Sequence, residues 1–261
     1  MQILFFALTM LAAAGAIPLL APRRAALARG LSVALTMAGC ALGLFALILL
    51  ARQGQPVSFA CSWLRVFSLS FTLDGLSGLF LLPVFLVSPW IALYGFHYLN
   101  KSESGWRCAV SLCMFNVLIA AMMLVVLADN MLTFALAWEL MSVSSYFLVL
   151  YDYDKEENRQ AGYLYLLFTQ TGALFLFAAF GVISAATGSL SFAGMAQLSP
   201  TTKLVVFFLA LVGFGSKAGV FPLHIWLPHA HPAAPSHVSA LLSGVMIKMA
   251  FQAASNSTSR K

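Results

Sequence analysis

The sequence predicts an all-α polytopic membrane protein of about eight transmembrane helices, with a broken seventh helix and a short extramembrane β-hairpin between helices 2 and 3. Composition is the first ground for this. Of 261 residues, 61% are hydrophobic and only 8% are charged, whereas about a quarter of a soluble domain is charged. Spacing is the second, since apolar runs of about 20 residues follow one another almost without interruption. The third is the backbone: no water in the hydrocarbon core satisfies free peptide groups, so a span must be a helix or part of a closed barrel. Long uncharged runs select helices.

Taken in chain order, Gln2 to Leu20, Leu31 to Ala51, Gly75 to Phe96 and Cys108 to Ala128 carry no charge. The first does not read as a secretory leader, because its cations Arg23, Arg24 and Arg29 follow the apolar run instead of preceding it. Between the second and third spans, Phe67, Leu69, Phe71 and Leu73 alternate with Ser68, Ser70 and Thr72, the period of a half-buried strand. Pro83 and Pro89 predict a kink in the third span, and Asp74 before it reads as an interfacial cap. Asp129 and Asn130 form a tight turn into the fifth, Met131 to Tyr151, whose single charge is Glu139. The sixth, Ala161 to Ala186, is uncharged.

The seventh span, Leu204 to Leu227, holds Lys217 among Gly213, Gly215 and Gly219, with Pro222 close behind. That combination predicts a broken helix. The eighth begins after Pro235, contains Lys248 and stops at Gln252. Residues 1–254 therefore form a single transmembrane domain, and 255–261 a polar, disordered tail.

The formal charge is +6, yet the 14 basic residues are scattered between spans, which points to membrane topology and not to a nucleic-acid partner. With the N-terminus outside, Arg23, Arg24, Arg29, Lys101, Arg107, Lys155 and Arg159 face the cytoplasm, against Arg52, Arg65 and Lys203 outside. This excess predicts that orientation in the inner (plasma) membrane. Cys40, Cys61, Cys108 and Cys113 show no metal or disulfide spacing and read as apolar fillers. The acidic stretch Asp152, Asp154, Glu156, Glu157 reads as a solvated connection.

Ionisable groups near mid-membrane are costly, so a bundle that keeps them usually uses them. Glu139 is ninth in its span with Ser142 at i+3, and Lys217 is equally deep. If the two meet, attraction at about 4 Å and an effective dielectric near 20 is on the order of 4 kcal/mol, enough to capture or release a proton as they approach or separate. The competing reading is a permanent salt bridge that fixes helix register. Lys248 is either a further proton carrier or a lysine snorkelling to the outer surface. His224, His229, His231 and His237 lie among Pro222, Pro228, Pro232 and Pro235. They form either a proton relay between the cytoplasm and Lys217 or a proline-stiffened loop of solvated imidazoles. No metal or cofactor site is expected, and nothing here suits flavin, haem, nickel or an iron–sulfur cluster.

Gly215-Ser-Lys-Ala-Gly219, Pro222-Leu-His-Ile-Trp-Leu-Pro-His-Ala-His-Pro-Ala-Ala-Pro235, Ser239-Ala-Leu-Leu-Ser243 and Lys248 together resemble the antiporter-like subunits of the complex I superfamily. Within it, Trp138-Glu-Leu-Met-Ser-Val-Ser-Ser-Tyr-Phe-Leu148 resembles the antiporter-like membrane component of hydrogenase-4 and formate hydrogenlyase. The resemblance runs from Leu73 to Lys248. It implies proton-transfer roles for Glu139, Lys217 and Lys248 on the fifth, seventh and eighth helices. Ser243, where related sodium/proton antiporters tend to have histidine, favours the redox branch.

The function so implied is that of a proton-translocating subunit of a hydrogenase or NADH:quinone-oxidoreductase-like complex. Its partners would be other membrane subunits, a peripheral redox arm, the lipid bilayer and protons or sodium, with no nucleic acid. The chain itself is no enzyme in this reading. Alternatives are the large subunit of a multisubunit sodium/proton antiporter, or a non-functional truncated product. The last arises because the family resembles inverted repeats within about fourteen spans, and this sequence turns polar where a second repeat would begin.

Overall fold

The computed structural model describes residues 1–20, 25–63, 67–99 and 105–249. Helix α1 is Gln2–Leu20, α2 Ala25–Gln53, α3 Gly75–Leu99, α4 Gly105–Leu127, α5 Met131–Val149, α6 Glu156–Thr187 and α7 Pro200–Ala218. These seven helices are long and apolar enough to cross a membrane. Strands β1 (Val57–Trp63) and β2 (Phe67–Leu73) pair antiparallel between α2 and α3, with Phe59 opposite Phe71. Short helices α8 (Leu227–Ala233) and α9 (Ser236–Leu241) follow, and α9 runs through a π turn, Leu242–Met246, into helical backbone as far as Met249. The end of the expected eighth span and the 255–261 tail lie outside the described residues.

The observed ends differ from the apolar runs where charge and backbone geometry override hydropathy. Helix α6 starts five residues early because Glu156 and Glu157 occupy its first turn, where the N-terminal dipole favours carboxylates. Helix α7 stops nine residues early, at Ala218. There Gly219 takes the left-handed conformation (φ 69°) and its N–H bonds back to Gly215 and Ser216 carbonyls, a glycine-terminated C-cap. A Cβ on Gly219 would also strike Leu227.

The hairpin clamps one end of the bundle. On the free edge of β2, the Ser70 carbonyl accepts from Asp129 N–H at 2.9 Å, and Ser70 N–H donates to Thr133 Oγ1 at 3.0 Å. Asn130 joins both sides, since its Nδ2 donates to the Ser68 carbonyl at 2.7 Å while its Oδ1 accepts from Thr133 N–H at 2.7 Å as the cap of α5. Asp74 caps α3 in the expected way, accepting from Ser77 N–H at 2.7 Å. Phe5 of α1 stands edge-on to Phe59 and Phe71, with ring centres 4.8 and 6.2 Å away.

At the opposite end the acidic connection is engaged with its neighbours. Arg107 reaches Asp154 at 2.6 Å and lies over the Tyr153 ring at 4.3 Å, while Arg159 donates to the Tyr153 and Asp154 carbonyls. The sequence showed acids in a loop; folding brings α4's first basic residue across to them.

Helix α4 is the central post, with buried residues along most of its length from Cys108 to Leu127. Asn116 at its middle accepts from Thr36 of α2 at 2.7 Å, a polar contact between buried helix faces. Helices α6 and α7 approach most closely where Gly172 faces Gly213. A Cβ on either would sit 3.0 or 2.9 Å from the other's carbonyl oxygen, so small residues set the spacing.

Asn130→Ala should remove both the cap and the tie to β2, costing about 1–2 kcal/mol. We expect a thermal midpoint lowered by a few degrees in detergent, with membrane insertion retained. Asn130→Asp, which keeps the capping oxygen but loses the donor to Ser68, should fall between the two.

Candidate functional site

Lys217 is 1% exposed in the last turn of α7. A cation there meets the negative end of the helix dipole, and the break at Gly219 ends the helix just beyond it. Its Nζ donates to Ser142 Oγ of α5 at 3.0 Å and to Tyr165 OH of α6 at 3.2 Å. The Trp138 ring lies 5.8 Å from the Lys217 nitrogen, within cation–π range. Three helices thus converge on one nitrogen.

Glu139 is within electrostatic range of Lys217, yet the two do not form an ion pair; the ion pairs found among the described residues are Arg107–Asp154 and Lys155–Asp152. Glu139 Oε2 instead accepts from Gln170 Nε2 of α6 at 3.0 Å, and Oε1 is buried with no hydrogen-bond partner. The close salt bridge considered from the sequence is therefore replaced by an indirect arrangement. Ser142, one turn after Glu139, takes the direct contact, so the attraction is weaker than at 4 Å.

Each group around the lysine is held by a further bond. Ser142 Oγ donates to the Trp138 carbonyl at 3.0 Å, which leaves its lone pairs for Lys217. Tyr165 OH bonds to Ser145 Oγ and reaches Met246 Sδ at 4.0 Å. Trp226 lies edge-on to Tyr165 at 5.0 Å, and its Nε1 donates at 2.8 Å to the Ser216 carbonyl at the end of α7. Ser216 Oγ donates to the Phe168 carbonyl at 2.6 Å, fastening α7 to α6.

Sequence reasoning found Glu139, Ser142 and Lys217 but missed Tyr165, Gln170, Ser145 and Trp226. Charge was the search criterion, and α6 has no charge in its apolar run. A periodicity search would have found Tyr165, because Tyr165, Thr169, Gly172, Ala173 and Leu176 form one buried face at helical spacing.

The other expected residues are dispersed. Lys248 is exposed and donates to the Gly244 carbonyl one turn back, at 2.7 Å; no described contact joins it to Lys217. His224 stacks near Phe221, with Nδ1 buried and unpartnered. His229 is exposed and turned to the Ile225 carbonyl. His231 Nδ1 meets Ser239 Oγ at 2.8 Å. His237, 3% exposed, lies between Tyr98 and Phe115 with Nδ1 unpartnered. The four imidazoles form no continuous line of contacts among the described residues, and no described His, Cys, Asp and Glu side chains group so as to hold a metal.

Residues 128–256 match the family described as NADH:quinone oxidoreductase/Mrp antiporter, TM. Over 203 residues the chain is 41% identical to hydrogenase-4 component B of Escherichia coli (strain K12), covering 77% of this chain and 29% of that protein. It is 35% identical over 213 residues to Na(+)/H(+) antiporter subunit A1 of Staphylococcus haemolyticus (strain JCSC1435), covering 77% of this chain and 26% of that one. In fold it resembles a chain of the membrane-bound sulfane sulfur reductase, an archaeal respiratory membrane complex. The TM-score is 0.85 at 22% identity, over 96% of this chain and 52% of the other. The chain thus spans under a third of these two sequence relatives. The motifs, the broken α7 and the matched residues agree: this chain belongs to the antiporter-like membrane subunits of the NADH:quinone oxidoreductase/Mrp family.

Proposed function

We propose that this chain conducts protons as part of a membrane subunit coupled to electron transfer in a hydrogenase or quinone-reducing complex. The observation that carries the reading is Lys217, fully buried at a helix break and held by two neutral hydroxyls with no carboxylate in contact. A lysine needed only for register would take the nearby carboxylate as its partner, because an ammonium buried without a counter-ion is the costlier arrangement. A lysine that must gain and lose a proton is served by hydroxyls, which accept from the ammonium and donate to the amine.

Glu139 acts at a distance. Its anion lowers the cost of the ammonium, and its bond to Gln170 holds it one turn from the contact. Movement of α5 against α7 changes that separation and with it the proton affinity of Lys217. Lys248 is a further proton-transfer group in this reading, and His224, with its unpartnered buried nitrogen, His229, His231 and His237 are relay groups between the cytoplasm and Lys217. The N-terminus faces outward in the plasma membrane, so that the hairpin end is external and the Arg107–Asp154 end is cytoplasmic. Other membrane subunits and a peripheral redox arm complete the machine, and the electron chemistry belongs to that arm. The similarity to hydrogenase-4 component B supports this branch. A second reading, the large subunit of a sodium/proton antiporter, is supported by the 35% identity to the staphylococcal antiporter protein and would use the same charges without a redox partner.

Lys217→Ala should abolish redox-driven proton uptake in proteoliposomes while the complex still assembles. Wild-type acidification by that variant would remove the proposal.

Glu139→Gln removes about 1–3 kcal/mol of support for the ammonium and should slow flux about ten- to a hundredfold, with Glu139→Asp retaining part. Membrane abundance and flux are measured together: normal flux at reduced abundance would mean that Glu139 serves the fold and not the transfer.

A further inference from the structure

We propose that Tyr165 is a second proton-transfer residue, through which Lys217 exchanges its proton with the α6–α9 side of the site. This rests on the proton-conducting reading above. Lys217 Nζ has two acceptors, and they lead in different directions. Ser142 belongs to the turn of α5 that carries Glu139. Tyr165 OH bonds to Ser145, the next turn of α5 toward the Asp152–Asp154 connection, and faces Met246 in the π turn of α9. The turn of α5 that carries Glu139 thus meets Lys217 through one acceptor, and the π turn lies beyond the other.

The chemistry requires a group able to accept and donate at once, which a phenol is. A proton leaves the Lys217 ammonium for Tyr165 oxygen as the Tyr165 O–H proton passes to a water molecule. The lysine becomes neutral, the phenol is regenerated, and the water becomes hydronium. Loading is the reverse. Tyr165 is 0% exposed, so water reaches it only when a neighbour yields. Met246 is that neighbour, being unbranched and adaptable and set in a π turn, a distortion frequent at functional sites. Trp226 packs perpendicular to the Tyr165 ring and is fixed by its bond to Ser216.

The test uses the complete membrane complex in proteoliposomes, with proton flux, complex abundance and the pH profile of flux measured together. Tyr165→Phe keeps the ring against Trp226 and removes the hydroxyl alone. Flux should fall about a hundredfold, the usual scale for one lost acid–base group, at unchanged abundance. Incorporation of 3-fluorotyrosine at 165, which restores a more acidic hydroxyl, should recover flux and move the alkaline limb of the pH profile to lower pH. Unreduced flux in Tyr165→Phe while Lys217→Ala is inactive would overturn this inference and leave the proposed function standing. Full flux in Lys217→Ala would instead remove the proposed function, and this inference with it. If Tyr165→Phe fails to accumulate, the fluorotyrosine protein decides: an unshifted profile overturns the inference.

Discussion

A lysine nitrogen held away from the surface and from any contacting carboxylate is the arrangement on which the rest of this structure depends. The cost of burying such a charge is several kcal/mol even after relaxation, and the surrounding features each lower it. The end of α7 supplies the negative dipole, Ser142 and Tyr165 supply oxygen lone pairs, Trp138 supplies a ring, and Glu139 lies one turn from Ser142 on α5. The Gly219 cap ends the helix just past the lysine, and Trp226 gives the Ser216 carbonyl at the break a second, shorter bond.

How much of this was legible beforehand varies with the physics of each element. The seven long helices were, because hydropathy alone dictates a span; α1 matched residue for residue, and α5 began at its cap. The hairpin was legible from one strand, since alternation identified β2 and pairing supplied β1. The break in α7 was legible in kind from its glycines, but its position was not. Apolar residues continue through Leu227, and only the left-handed backbone at Gly219 says where helix gives way.

The site was half legible for a related reason. Charge in an apolar run is conspicuous, so Glu139 and Lys217 stood out. A tyrosine in an apolar run is not, because its ring suits lipid and core equally and its hydroxyl acquires meaning only from what lies across the helix gap. Trp226 lay in a proline-rich stretch that drew attention to its histidines, which the fold then scattered. The acidic connection was read from its own charges alone, and Arg107 lay too far away in sequence to enter the reading.

The Gly172–Gly213 contact has a mechanical meaning. With backbone against backbone, and with Ser216 bonded to Phe168 and Trp226 to Ser216, α6 and the end of α7 behave as one stiff plank. Lys217 and Tyr165 ride on that plank together, whereas Ser142 and Glu139 belong to α5. Tyr165 and Gln170 also bond to α5, at Ser145 and Glu139, so a tilt of the plank against α5 would have to stretch those two bonds together with the Lys217–Ser142 contact. The two acceptors of a single nitrogen therefore belong to different bodies, one to the plank and one to α5, and two further hydrogen bonds pin the seam between them.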